Sequence, residues 1–137
     1  MKIIMNIEID ALNKILSITQ SVIDEIQSCH WNIKGPSFSP IHSDLGTIYD
    51  LLIGWQDTIA ERIKANDPSY LVSKGKSEIV SPISNQSDII DRTIMLLKQL
   101  ALLVTSTLSK VNAVTANELQ TLILVLDKWV WKFTNSK

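Results

Sequence analysis

The chain has 137 residues, enough for one domain and not for two, so residues 1–137 are read as a single unit. Hydrophobic residues make up 45% and charged residues 20%, more apolar material than a small monomer buries, which points to assembly. Thirteen basic against fourteen acidic side chains give a net charge of -1, without the electrostatic footprint of a protein built to coat nucleic acid.

The N-terminal run Met1 to Met5 is apolar but is followed by Glu8 and Asp10, with no small-residue cleavage site, so no signal peptide is expected. The most apolar stretch, Leu119 to Leu126, is too short to span a bilayer, and a soluble, cytoplasmic protein without membrane partners is expected. The one cysteine, Cys29, excludes an internal disulfide, fits a reducing compartment and reads as a small buried hydrophobe.

From Ile7, the residues Leu12, Ile15, Leu16, Val22, Ile23, Ile26 and Ile33 recur at helical spacing up to Gly35-Pro36, which predicts a long first helix. Ser39-Pro40 reads as an N-cap followed by proline at the first helical position. It opens a second helix through Ile41, Leu45, Ile48, Leu52, Ile59 and Ile63 to about Asn66. Periodicity then fails up to Asn85, where prolines, Gly75 and serines mark a connection long enough to cross the molecule, with room for one short helical turn.

A third helix is predicted from about Gln86 to Val111, and a fourth to about Phe133, opened by Thr115-Ala-Asn-Glu118 in the form of a capping box. Helix four is apolar nearly all round, which predicts either a subunit interface or a deeply covered core helix. The fold class expected is all-α: four long helices in a bundle, with a long crossover between helices two and three that lets those two run the same way.

Both histidines of the chain, His30 and His42, lie near the turn between helices one and two, whereas Asp57 and Glu61 lie one turn apart farther along helix two. Imidazole plus carboxylate suits iron, manganese or zinc, and the lack of a thiolate cluster argues against a structural zinc knuckle. His42 and Asp57 are fifteen positions apart on one helix, hence about 22 Å. One chain cannot bring them together. If the four residues share a metal, a two-fold axis across helix two must bring the histidine end of one subunit to the carboxylate end of another.

The runs His30-Trp31-Asn32-Ile33-Lys34-Gly35-Pro36-Ser37-Phe38, Ile41-His42 and Asp57-Thr58-Ile59-Ala60-Glu61-Arg62-Ile63 resemble the Dps family of miniferritins. The likeness covers about residues 10 to 65 and returns, more loosely, from Thr115 to Phe133. It implies a ferritin-like four-helix subunit in a hollow homo-oligomer of twelve. His30 and His42 from one subunit, with Asp57 and Glu61 from its partner, would then be the metal ligands and the catalytic residues of a ferroxidase. Iron would be the metal handled, hydrogen peroxide (or more slowly oxygen) the oxidant, and a ferric mineral in the cavity the product. Trp31, beside the first ligand, resembles the family tryptophan that could intercept radicals; packing explains it as well.

Two departures from the family pattern stand out. An acidic residue is usual one turn after the second histidine, and here that position is Gly46, which removes one carboxylate from the site. Asp44 points away from the direction of residue 46 by about 160° and is a poor substitute. Where the family commonly lines a three-fold pore with aspartates, this chain offers Asn117, Glu118 and Thr121, so the pore is expected to be less negative. A basic tail is absent too, and DNA binding is expected to be weak or absent. The leading expectation is an iron-oxidising, iron-storing cage that protects against oxidative damage. The alternatives are a structural or protective cage with weak or lost ferroxidase activity and, from a different class, a DNA compactor without iron chemistry.

Overall fold

Aliphatic residues at helical spacing build four helices in the computed structural model, which describes residues 2–75, 77 and 81–137, with residues 2–6 described by their main chain only. They are α1 (Lys2–Asn32), α2 (Phe38–Asn66), α3 (Gln86–Thr107) and α4 (Ala113–Thr134), with a 3-10 turn at Leu108–Lys110. No strand occurs among the described residues, where only an isolated parallel bridge joins Lys34 and Asn85. The side chain of Lys2 and the connection's residues 76 and 78–80 lie outside the described residues.

One core runs the length of the bundle. Leu12, Ile15 and Ile26 of α1 meet Leu45, Leu52 and Ile59 of α2, Ile89 and Leu97 of α3, and Leu122 and Phe133 of α4, all 1% exposed or less. Burying each such side chain stabilises the fold by roughly 1.5–3 kcal/mol.

The short turn after α1 makes α2 antiparallel to it. The crossover then climbs back along α1: Tyr70 accepts a hydrogen bond from Asn13 (2.6 Å), Gly75 lies against Ser17, and Ser84 accepts from the Lys34 N–H (2.8 Å). Helix α3 therefore starts beside the α1–α2 turn and runs parallel to α2, as the length of the connection requires. At the far end Asn112, at the start of α4, bonds to Asn66 at the end of α2 (3.2 Å).

Helix starts differ from the expected ones for identifiable reasons. Helix α2 begins at Phe38 with Ser37 as N-cap, so Ser39 and Pro40 fall inside the first turn, where a proline's missing N–H has no partner to lose. Helix α4 begins at Ala113 rather than at a capping box. Asn112 is its N-cap and accepts from the Thr115 N–H at 2.9 Å, while Thr115 is buried and its hydroxyl accepts from Arg62 Nε at 3.0 Å. Glu8, buried in α1, accepts from the Asn112 N–H and places a carboxylate at the same helix start, where the dipole favours it. Helix α3 is capped by Asn85, which accepts from Ser87 and Asp88 N–H, and yields to the 3-10 turn before Val111.

Helix α4 buries one face only, through Thr115, Leu119, Leu122, Leu126, Trp129 and Phe133. Of its other apolar residues, Ile123, Val125 and Val130 are half-buried against the core, while Leu124 is 70% and Trp131 64% exposed. With Leu102 of α3, also 70% exposed, Trp131 lines an apolar groove of about 540 Å³ between α3 and α4. The deeply covered helix of the second expectation is thus not formed within one subunit.

Candidate metal centre

The turn between the two histidines is held by buried residues and by the start of α3. Ile33 and Ile41 are buried beneath it, and Gly35 takes φ +150, a backbone conformation that side chains rarely adopt. A Cβ at Gly35 would lie 2.8 Å from Gln86 Cβ, and Gln86 Oε1 accepts from the Ser37 N–H at 2.8 Å. The start of α3 thereby clamps the α1–α2 turn, a function the sequence reading did not assign to Gln86.

Within this frame His30 and His42 grip each other. Their rings stack with centroids 3.7 Å apart and planes 14° from parallel. His30 Nδ1 lies 2.6 Å from the His42 carbonyl oxygen, and His42 Nδ1 lies 2.6 Å from that of His30. A carbonyl only accepts, so the proton of each ring is assigned to Nδ1. In the neutral rings both Nε2 atoms then carry free lone pairs, the arrangement that prepares a histidine for a metal. His30 O is open to this bond because the N–H of Lys34, its helical partner by spacing, goes to Ser84 instead. Phe38 stacks on the outer face of His42 at 5.0 Å, and Tyr49 meets His30 edge-on at 5.4 Å. Both were missed from sequence, although Phe38 lies in the motif and Tyr49 is seven residues after His42.

The carboxylate end is built differently. Asp57 and Glu61 are exposed on α2, and Glu61 lines a cleft of about 410 Å³ with Trp55, Thr58, Arg62, Glu118 and Thr121. The two ends are about 22 Å apart along the helix. Among the described residues no group of three or more His, Cys, Asp or Glu gathers within the single chain.

The remaining expected positions fall as follows. Trp31 is 67% exposed and is not packed into its own bundle. Asn117 and Thr121 are exposed near the start of α4, and Thr121 and Glu118 face the same cleft as Glu61. Glu118 Oε2 is shielded from solvent without a hydrogen-bond partner, so the acid expected to complete a capping box is free of that duty. Gly46 lies against His30: a Cβ there would meet the ring's Cε1 at 3.0 Å. Gly54 has open space around it.

Cys29 lies buried beside Glu25 and Arg92. Burial pushes its thiol up to about 11, against a weaker downward pull from Arg92 and an upward push from Glu25. Burial also raises the Glu25 carboxyl, which Arg92 partly offsets. At the end of α2, hydrogen bonds from Ser69 hold the Asp67 carboxyl below the usual range.

No family model matches the chain. An uncharacterized protein of Haemophilus influenzae is 29% identical over 136 residues, spanning 90% of this chain and 84% of its own. Among solved structures, the fold is similar to that of Dps from Mycobacterium smegmatis, with TM-score 0.86 at 19% identity over 97% of this chain and 87% of the other. It is similar also to a Dps protein from Bacillus brevis, with TM-score 0.87 at 18% identity over 96% and 95%. Dps92 from Deinococcus radiodurans superposes with TM-score 0.84 at 19% identity over 96% and 86%.

Proposed function

We propose that this chain, which has the ferritin-like four-helix fold of the Dps proteins, is a subunit of an iron-storing homo-oligomeric cage that oxidises Fe(II) at sites shared by two subunits. The observation that carries the reading is the division of the donor set. Two imidazoles with free Nε2 atoms lie at one end of α2 and two carboxylates at the other, too far apart to meet in one chain. A two-fold axis near the middle of α2 joins His30 and His42 of one subunit to Asp57 and Glu61 of its neighbour and makes two equal sites per dimer. The apolar groove at Leu102 and Trp131 supports further assembly, to a dodecamer, because apolar surface of this kind is covered in a stable oligomer.

Fe(II) is the substrate. Nitrogen and oxygen donors suit it, and two carboxylates offset its charge and favour the ferric product. Each peroxide takes one electron from each of two ferrous ions, its O–O bond breaks, and with two protons it leaves as two waters. Dioxygen is the slower oxidant. The ferric ions move to the cavity as mineral, so that iron and peroxide are consumed together and oxidative damage is limited. Iron entry past Asn117, Glu118 and Thr121 is weakly steered, since Glu118 is the one acid of the three. Trp31, exposed beside His30, is placed to intercept stray oxidising equivalents. The buried free thiol of Cys29 fits a cytoplasmic location, and the net charge of -1 fits weak or absent DNA binding.

The test adds Fe(II) anaerobically to the purified protein, then hydrogen peroxide, and follows ferric absorbance and peroxide loss. Oxidation well above that of a His30→Ala/Glu61→Ala variant is expected. Equal rates would leave the second reading, a protective cage with weak or lost ferroxidase activity. One observation favours that alternative: residue 46 contributes no carboxylate, and its side-chain space is taken by the His30 ring.

A further inference from the structure

We infer that Gly46 is a positioning residue: the absence of its side chain lets the His30 ring lie against α2 and exchange Nδ1–H···O=C bonds with His42. The inference rests on the metal-centre reading above for its functional consequence, though not for its geometry.

Three contacts fix the His30 ring. On one side it stacks on His42 at 3.7 Å, Tyr49 closes on it edge-first at 5.4 Å, and its Nδ1 is tied to the His42 carbonyl at 2.6 Å. A Cβ at residue 46 would meet Cε1 at 3.0 Å, tighter than ordinary van der Waals contact, with Nδ1 next at 3.4 Å. To relieve that contact the ring must move by a few tenths of an ångström. Because Nδ1 is itself one of the two nearest atoms, the movement draws it from the carbonyl it bonds.

The reciprocal bond suffers next. His42 Nδ1 reaches the carbonyl of His30 across the same stack, so a displaced His30 ring removes the face on which His42 rests. Once Nδ1 is released, the proton is free to sit on Nε2, the commoner tautomer of an unconstrained neutral imidazole, and the metal-facing lone pair is lost. Glycine at residue 46 costs the helix up to about 1 kcal/mol relative to alanine. Gly54 on the same helix supplies the comparison, since a Cβ there meets nothing within 4 Å.

The two histidines are the only ones in the chain, so imidazole nitrogen spectra contain just two residues. Metal-free protein carrying nitrogen-labelled histidine is examined by NMR as wild type, Gly46→Ala and Gly54→Ala, and each is titrated with Co(II), whose visible absorption reports binding. Wild type and Gly54→Ala are expected to show both rings as Nδ1–H tautomers. Gly46→Ala is expected to show mixed or Nε2–H tautomers and at least ten-fold weaker Co(II) binding, with its helical content retained. A double-mutant cycle covers a poorly folding variant: Gly46→Ala is expected to raise the thermal midpoint in a His30→Ala background and to raise it less, or lower it, when His30 is present. Nδ1–H tautomers unchanged in Gly46→Ala, or an equal midpoint shift in both backgrounds, overturns the role of Gly46. Should the tautomers change as expected while wild type fails to bind Co(II), Gly46 keeps its role in the histidine clasp and the metal-centre reading is the one that fails.

Discussion

Gly35→Ala tests how the fold holds the histidine end together. At φ +150 an alanine is strained by roughly 1–3 kcal/mol. Its Cβ would also stand 2.7 Å from Gln86 Oε1, which must withdraw and give up the Ser37 N–H, a further loss of about 1 kcal/mol. The total is about 2–4 kcal/mol, or a fall of about 7–14 °C in the thermal midpoint measured at fixed protein concentration. Gln86→Ala is the control that removes the hydrogen bond alone, for about 1 kcal/mol. Because Lys34 and Gln86 are also joined through the main chain, the loosened turn in Gly35→Ala should weaken Co(II) binding. A midpoint no lower than that of Gln86→Ala would refute the claim that this turn demands glycine.

Three further outcomes follow from particular contacts. Asn112→Ala should cost about 1 kcal/mol in urea unfolding, as an N-cap loss does, whereas Glu118→Ala should leave that end of α4 nearly unchanged; the reverse order would restore the capping box. Cys29, buried and raised to about 11, should resist thiol reagents at pH 8 until the protein is unfolded. Since its pKa is higher folded than the ordinary 9.0, its contribution to stability is intact below pH 9 and declines as pH rises through 11. The urea midpoint of wild type should therefore fall over that range more steeply than that of Cys29→Ala, and parallel curves would contradict the assignment.

Much of this molecule is legible in its residues because its signals are periodic. The spacing of Leu12, Ile15, Leu45, Leu52, Ile89, Leu97 and Leu122 gives the helices and their buried faces, and the unpatterned connection gives the parallel run of α2 and α3. Helix ends were harder, because caps depend on partners distant in sequence. Thr115 and Glu118 match a local motif, yet Arg62 takes the threonine hydroxyl and Asn112 with Glu8 satisfies the helix start. Residue types and spacing mark out the candidate ligands. The mutual bonds of His30 and His42, the clamp by Gln86 and the contact of Gly46 with an imidazole are properties of packing that no spacing rule contains.

Complementation between subunits addresses the shared site most directly. One variant carries His30→Ala/His42→Ala, the other Asp57→Ala/Glu61→Ala, and the two are co-expressed in equal amounts and purified as mixed oligomers. Each alone should oxidise Fe(II) no faster than background. In a mixed two-fold dimer one of the two sites regains all four ligands, and random pairing makes half the dimers mixed, so roughly a quarter of wild-type activity should return. Mixed oligomers as inactive as either parent would contradict a site built from two subunits.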